Sequence, residues 1–277
     1  MPGYHECCAV VRGAGDLGTG VAYALFKAGF IVVATEVAQP LVVRRTVSFA
    51  EAVYSGSIKV QGIAAQVAAD AAEACRLARQ GIVPVVVDPQ ANILAQVKPL
   101  VVVDAIMAKK NTGTAITDAA VVIGLGPGLV AKKDVHAVIE TCRGPKLGRV
   151  IYEGTAIPDS GMPGAIEGRT WERLLKAPIS GKVSTRAEIG DRVKKGDVVA
   201  YVDTQPVRSK LDGVVRGLIY PGLYVEAGTK IGDVDPRGDK NLCYQISDKA
   251  LKVGRSAARA AIELLEKTEG LSNQLGK

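Results

Sequence analysis

Gly13, Gly15 and Gly18 stand at GxGxxG spacing in "RGAGDLG", between the apolar run "CCAVV" and the helix-like "DLGTGVAYALFKAG". The spacing has a mechanism. The first glycine permits a tight turn, the second lets backbone approach a pyrophosphate, and the third lets helix lie close to strand. A helix start adds unpaired N–H groups and a partial positive charge, so Arg12, Gly13, Ala14, Gly15, Asp16, Leu17 and Gly18 read as a phosphate cradle. A second apolar run, "FIVVAT", closes on Glu36. A carboxylate there can accept two ribose hydroxyls and repels a 2′-phosphate. The same turn also occurs in α/β domains that bind nothing. Arg12 can add charge beside a phosphate, or pair with Asp16 or Glu36. Arg44 and Arg45 are either solvated or a bidentate clamp for a second anionic group.

A second group of reactive types lies in "DAIMAKKNTGT", Asp104 to Thr114, directly after the apolar strand "PLVVV". Lys109 can bind phosphate or polarise a carbonyl, and Asp104 can act as base or orienter. Asp104, Lys109, Asn111 and Thr112 are therefore the candidate catalytic residues, with Lys110 as an anion contact. The alternative is an exposed loop of solvated side chains. "GLGPG" supplies Gly126 and Gly128 for close backbone approach to a ligand, or only for a turn that needs positive φ. Cys142 lies beside Arg143, so it is either a thiol made more acidic by a cation or a buried, inert cysteine. His5 and His136 are the only histidines, and neither has Cys or carboxylate neighbours at ligand spacing, so no metal site is expected. No GxSxG elbow or P-loop is present, which leaves hydrolase and P-loop NTPase readings unsupported.

Composition narrows the class. The chain has 277 residues, 48% hydrophobic and 23% charged, in the range of folded globular proteins. Its net charge of +7 suits anionic ligands or an acidic partner. Nucleic acid is not expected, because no aromatic-interleaved basic patch appears. Five cysteines without a CxxC argue against a disulfide framework and for a reducing compartment. With no apolar run of membrane-spanning length and no signal-like start, a cytoplasmic location is expected.

These residues need a scaffold, and Val-rich runs alternating with Ala-rich segments supply one. Strands are expected at "CCAVVR", "FIVVAT", "SIKVQGI", "IVPVVVD", "LVVVDAI" and "AAVVIGLG", with more through "VHAVIET" and "GRVIYEG". Helices are expected at "DLGTGVAYALFKAG", at "SFAEAVYSG" capped by Ser48, over residues 65–81, and briefly in "PQANILAQVKP". This rhythm predicts an α/β fold: a doubly wound, Rossmann-like domain over 1–170, with ligand sites beyond the C-terminal strand ends.

From Gly181 the chain repeats with a period of 32: Gly181–Asp203 lies over Gly213–Asp235, with identities at Gly181/Gly213, Val183/Val215, Gly190/Gly222, Val202/Val234 and Asp203/Asp235 among others. Neither half can bury its valines alone, so the halves should interlock. "APISGKV" and "GDRVKKGD" resemble the barrel-sandwich hybrid of biotinyl and lipoyl carriers. In those domains the modified lysine sits on the hairpin after the position of Asp203. Here that stretch is "VDTQPVRSKLDG", and Lys210 falls too late. A small all-β barrel-sandwich domain over 171–238 without carrier chemistry is therefore expected, serving as a structural or docking module. A helix within 239–277, with Leu251, Ala258, Ile262 and Leu265 at helical spacing, is expected to pack back on the first domain.

Together, "GAGDLGTGVA", "RRTVSFAEAVYSG", "DAIMAKKNTGT", "GLGPG", "IETCRGPKLGRVIYEGTAIPDSGMPG" and "ISDKA" resemble the selenium-dependent molybdenum hydroxylase accessory proteins, the YqeB family. The family motifs fall on Gly13, Asp16, Arg44, Arg45, Asp104, Lys109, Asn111, Thr112, Gly126, Gly128 and Arg143. The resemblance implies a part in hydroxylase maturation, with a molybdenum hydroxylase or another maturation factor as partner; a homo-oligomer is compatible with it. It brings no defined reaction. Three functions follow: a maturation factor binding a nucleotide-containing cofactor (molybdopterin dinucleotide or NAD), an NAD-dependent oxidoreductase acting on a small anionic substrate, and a non-catalytic scaffold with a vestigial site. Selenium handling would add a use for the Cys142 thiol.

Overall fold

β1 (Cys8–Arg12) is apolar along both faces, and the fold buries both. Ala9 and Val11 point into one core and Val10 into another. The computed structural model describes residues 8–159, 161 and 164–275, with side chains to 268; His5, Cys7, Ser160, Met162 and Pro163 lie outside them. After β1 come α1 (Asp16–Lys27) and β2 (Ile31–Glu36), then 3-10 turns at Arg45–Val47 and Phe49–Glu51 and the short α2 (Ala52–Ser55). β3 (Ser57–Val60), β4 (Ile63–Ala68), α3 (Ala71–Arg79), β5 (Val83–Val87), α4 (Leu94–Val97), β6 (Val101–Asp104), β7 (Val121–Leu125), β8 (Ala137–Ile139) and β9 (Val150–Ile151) follow.

These strands form one nine-stranded sheet in the order β3-β4-β5-β2-β1-β6-β7-β8-β9. β4 through β8 along that order are parallel, and the outer β3 and β9 are antiparallel. Strand order reverses between β1 and β6, so the crevice beyond their C-terminal ends is a topological switch point.

One expected helix is corrected. Residues 65–81 do not form a single helix: β4 occupies 63–68 and α3 begins at Ala71. Gln61 and Gly62, both at positive φ, make a two-residue turn that pairs β3 with β4 from Val60↔Ile63. Asp70 then accepts the Glu73 N–H at 2.8 Å, while Glu73 accepts the Ala69 N–H at 2.9 Å. This reciprocal cap starts the helix at its observed place. Ser48 also differs from expectation: it caps no helix, and its hydroxyl donates to the Arg44 carbonyl.

The repeat builds two four-stranded antiparallel sheets from β10 (Leu174–Lys176), β11 (Gly181–Thr185), β12 (Arg192–Val193), β13 (Val198–Val202), β14 (Gln205–Arg208), β15 (Gly213–Leu218), β16 (Tyr224–Val225) and β17 (Lys230–Asp235). The orders are β10-β17-β15-β12 and β14-β13-β11-β16. Each sheet draws on both copies of the repeat, β12 joining β15 and β17 in one and β16 joining β11 and β13 in the other, so the halves interlock around shared Val183, Val202, Val215 and Val234. The repeated Gly/Asp pairs are explained by contact: a Cβ on Gly181 would strike the Asp203 carboxylate, and one on Gly213 the Asp235 carbonyl. The hairpin turn between β13 and β14 is Asp203-Thr204, and Lys210 lies beyond β14.

α5 (Asp248–Leu275) crosses α1 on the same sheet face. The crossing is made by backbone: a Cβ on Gly254 would strike the Gly20 carbonyl, and one on Gly20 the Ala250 carbonyl. Val253, Ala257, Ala260 and Ala261 form the buried seam. Of the expected stripe, Ala258 and Leu265 are buried, and Leu251 and Ile262 flank them.

Candidate functional site

The parallel strands end on one edge, and their following loops form two pockets there. The first, about 400 Å³, lies at the ends of β1, β2, β5 and β6. Gly13 (φ +90°) turns the chain, with its Cβ position 3.1 Å from the Ala105 backbone. A Cβ on Gly18 would strike the Gly13 carbonyl, so the third glycine seats α1 against the turn. Gly15 lines the pocket at ordinary φ, and its Cβ position is 3.5 Å from Val42. Leu17 packs on the core instead.

Glu36 lines the same pocket. Its Oε2 accepts the Ala14 N–H and its Oε1 the Val37 N–H, both at 2.8 Å. Burial pushes its pKa above the usual carboxylate value, against the opposing bonds from Val37 and Ala14. A carboxylate has about four lone-pair sites, so roughly two stay open for hydroxyl donors. Val37, Leu41, Val42 and Ile106 supply apolar walls.

The arginines expected at this pocket are engaged elsewhere. Arg12 is buried and pairs with neither Asp16 nor Glu36: it donates to the Thr114 hydroxyl, which donates at 2.5 Å to Asp104. Strand alternation explains this, because Arg12 shares the face of Val10. Arg44 pairs with Asp16 at 3.0 Å and donates to the carbonyls of Leu242 and Gln245. Arg45 donates to the Leu218 carbonyl and to Glu51. The Leu218 N–H donates to Val43 at 2.7 Å, and Tyr54 stacks on Tyr220 at 4.2 Å. Arg44 and Arg45 thus fasten the loop after β2 to the β-rich repeat and the segment leading to α5.

Asp104 is buried, held by Thr114 and by the Ile106 N–H. Asn111 folds the loop, accepting the N–H groups of Gly113 and Thr114. Thr112 lines the first pocket, Lys110 is exposed, and Lys109 lines the second pocket. The candidate catalytic residues are therefore spread over two pockets and the wall between them. Thr114, which links Arg12 to Asp104, was not singled out by its type.

The second pocket, about 500 Å³, lies at the ends of β6, β7 and β8. Gly126 and Gly128 form its floor turn: a Cβ on Gly128 would strike the Ala108 carbonyl, and one on Gly126 would lie 2.7 Å from the Thr141 hydroxyl. Exposed Cys142 lines it, beside Arg143. Arg143 is committed to Asp248, at 2.9 and 3.1 Å, which holds the Asp248 carboxyl at about 2. Buried Glu140 and half-buried Lys249 also shape this region, and sequence reasoning missed both. Glu140 accepts the N–H groups of Cys142 and Ile157; its only sequence signal is a carboxylate ending an apolar strand. Lys249 arrives from α5, more than a hundred residues away in sequence. His136 accepts the Val122 N–H at Nδ1, and burial lowers its pKa. Among the described residues, no three His, Cys, Asp or Glu side chains group as metal ligands. No described helix is long and apolar enough to cross a membrane.

Fold and site together define a mixed α/β protein: a mostly parallel nine-stranded sheet with a glycine turn at its switch point, two small antiparallel sheets and a long final helix. The chain is similar to the uncharacterized protein YqeB of Escherichia coli (strain K12), at 47% identity over 264 residues. That alignment covers 95% of this chain and 49% of YqeB, so the chain spans about half the length of the curated relative it matches. No family model matches. Among solved structures, an aspartoacylase family protein from Mesorhizobium loti is 12% identical, covering 82% of this chain and 84% of that one at a TM-score of 0.28. The product-bound ectoine utilization protein EutE (DoeB) from Ruegeria pomeroyi is 20% identical, covering 30% and 27% at a TM-score of 0.21. Similarity at that level carries no argument about this chain.

Proposed function

We propose that the glycine-turn pocket is a Rossmann-like site for a nucleotide-containing cofactor, and that the protein serves as an accessory factor in maturing selenium-dependent molybdenum hydroxylases. The observation carrying the ligand reading is that Glu36 and the Gly13–Gly18 turn share one pocket at the switch point. Glu36 keeps lone pairs for ribose hydroxyls, and the α1 N-terminus offers amides to a diphosphate. Among the described residues no lysine or arginine lines this pocket, so the amides would meet most of the phosphate charge. A molybdopterin dinucleotide or an NAD-like molecule has the required nucleoside and diphosphate. The maturation role rests on the likeness to YqeB and on the family motifs, with a molybdenum hydroxylase or another maturation factor as the partner. The β-rich repeat, with Asp203-Thr204 at its hairpin, is read as a docking module of carrier-like fold lacking the carrier lysine.

The oxidoreductase reading has less support, because Asp104 and Lys109 do not line a common pocket. The test is a thermal-shift screen with NAD, nucleoside diphosphates and the pterin dinucleotide, alongside mass spectrometry of co-purifying small molecules. A ligand at a hundred times its Kd adds about 2.7 kcal/mol of stability. If no nucleotide raises Tm and none co-purifies, the ligand reading fails.

A further inference from the structure

The second pocket is built as carefully as the first, yet shares no lining residue with it. Ile106 lines one and Met107 the other, so the loop after β6 is the wall between them. Its walls are held in place by interactions that do little else. Glu140, 1% exposed, ties the Cys142 loop to the irregular segment at Ile157 through two amides, at 2.7 and 2.9 Å. Gly128 brings the floor turn against the Ala108–Lys110 backbone. A ligand entering would meet a cavity already formed, which lowers the ordering cost of binding.

The charges inside are unbalanced. Lys109, Arg143 and Lys249 face one lining carboxylate, Asp159. Arg143 spends both terminal nitrogens on Asp248, outside the lining. The side-chain ammonium groups of Lys109 and Lys249 make no hydrogen bond or ion pair among the described residues. Lys249 is half-buried, and an ammonium withdrawn from water without a directly paired anion is unfavourable. Burial, then the Arg143 charge, lowers its pKa, against the opposing charges of Asp16 and Asp159. Met107 and Ile157 give the cavity an apolar side.

We propose that this cavity is a second small-molecule site, independent of the glycine-turn pocket, which takes a carboxylate or phosphate group on Lys109 and Lys249 and holds the molecule's body beside the Cys142 thiol. The ligand's anionic group supplies the countercharge that the two lysines lack, and the apolar side accommodates a carbon skeleton.

Cys142 itself reports on the site. Iodoacetate and iodoacetamide both alkylate a thiolate with loss of iodide, but only iodoacetate carries a carboxylate. Lysines that merely acidify the thiol speed both reagents, so the ratio of the two rates isolates anion recruitment. Peptide mapping by mass spectrometry follows Cys142 apart from the other cysteines. The iodoacetate-to-iodoacetamide ratio is expected to be several-fold higher in the native chain than in urea, and to fall to the urea value in K109M/K249M. The K109R/K249R variant, which keeps the charge, should retain it. Inorganic phosphate and acetate, added separately, should slow iodoacetate and show which oxyanion is preferred. A native ratio unchanged by K109M/K249M, with folding verified by circular dichroism, overturns the proposal whatever the competitors do. The readout involves no nucleotide, so it stands or fails apart from the glycine-turn reading.

Discussion

Glu36 and Ala14 are joined across the glycine turn, the carboxylate Oε2 accepting the Ala14 N–H at 2.8 Å. Glu36 is thus part of the turn's framework before any ligand arrives. Ala14 is buried, so its N–H has no ready replacement partner. Glu36→Ala should cost about 1–3 kcal/mol, the range for an unsatisfied buried donor. Glu36→Gln, which keeps one carbonyl oxygen, should cost less. Urea denaturation of the two variants checks the order, and equal losses would show that the bond to Ala14 is not what matters.

Gly15 and Gly18 should separate folding from binding. Gly15 has ordinary φ and a Cβ position 3.5 Å from its nearest neighbour, Val42, so Gly15→Ala should fold with nearly unchanged Tm. Gly15→Val should fill the pocket and abolish any thermal shift from nucleotides. Gly18→Ala forces a methyl into the Gly13 carbonyl and should lose about 1–3 kcal/mol. A nucleotide shift undiminished in Gly15→Val would exclude this pocket as the binding site.

The α1–α5 crossing sets two rules in opposition. Helix propensity alone makes Gly254→Ala stabilising by about 1 kcal/mol. Packing makes it destabilising, because the new methyl strikes the Gly20 carbonyl. Overpacking costs about 1–3 kcal/mol, so a net loss of stability is expected. Calorimetric melting decides the sign.

Arg143 and Asp248 give a pH signature. The Asp248 carboxyl, ordinarily at 3.8, is held at about 2 by its hydrogen bond to Arg143. A depressed folded-state pKa contributes stability that is present above 3.8 and lost as pH falls through about 2. The pair is exposed, Asp248 at 75%, so solvent screening limits its contribution to under about 1 kcal/mol. Asp248→Asn should therefore lower stability slightly at pH 7, with the difference from wild type shrinking toward pH 2. A difference that stays constant across that range would assign the effect to something other than the ion pair.

The parts legible in the sequence were those decided locally. β1, the glycine turn, α1 and β2 follow from a contiguous pattern, and Gly13, Gly15 and Glu36 meet in one pocket as their spacing implies. Residues 65–81 were misread because alanine enrichment resembles a helix while β4 is held by its neighbours. The Gln61-Gly62 turn and Asp70-x-x-Glu73 were the available signals. The roles of Arg44 and Arg45 depend on carbonyls of Leu218, Leu242 and Gln245, far away in the chain. No window around the arginines contains those acceptors. Lys249 was invisible for the same reason: only the α5 crossing brings it to the β6–β8 end of the sheet.

That crossing also bears on how the protein is made. β1 and the glycine turn are translated well before the helix that covers α1, which follows both antiparallel sheets in the chain. Until then, the seam that Val253 and Ala257 will fill lies open to water. A nascent chain would thus carry its glycine turn on a half-covered sheet throughout synthesis of the repeat. The glycine-turn pocket should reach its final rigidity late, once α5 has emerged and docked.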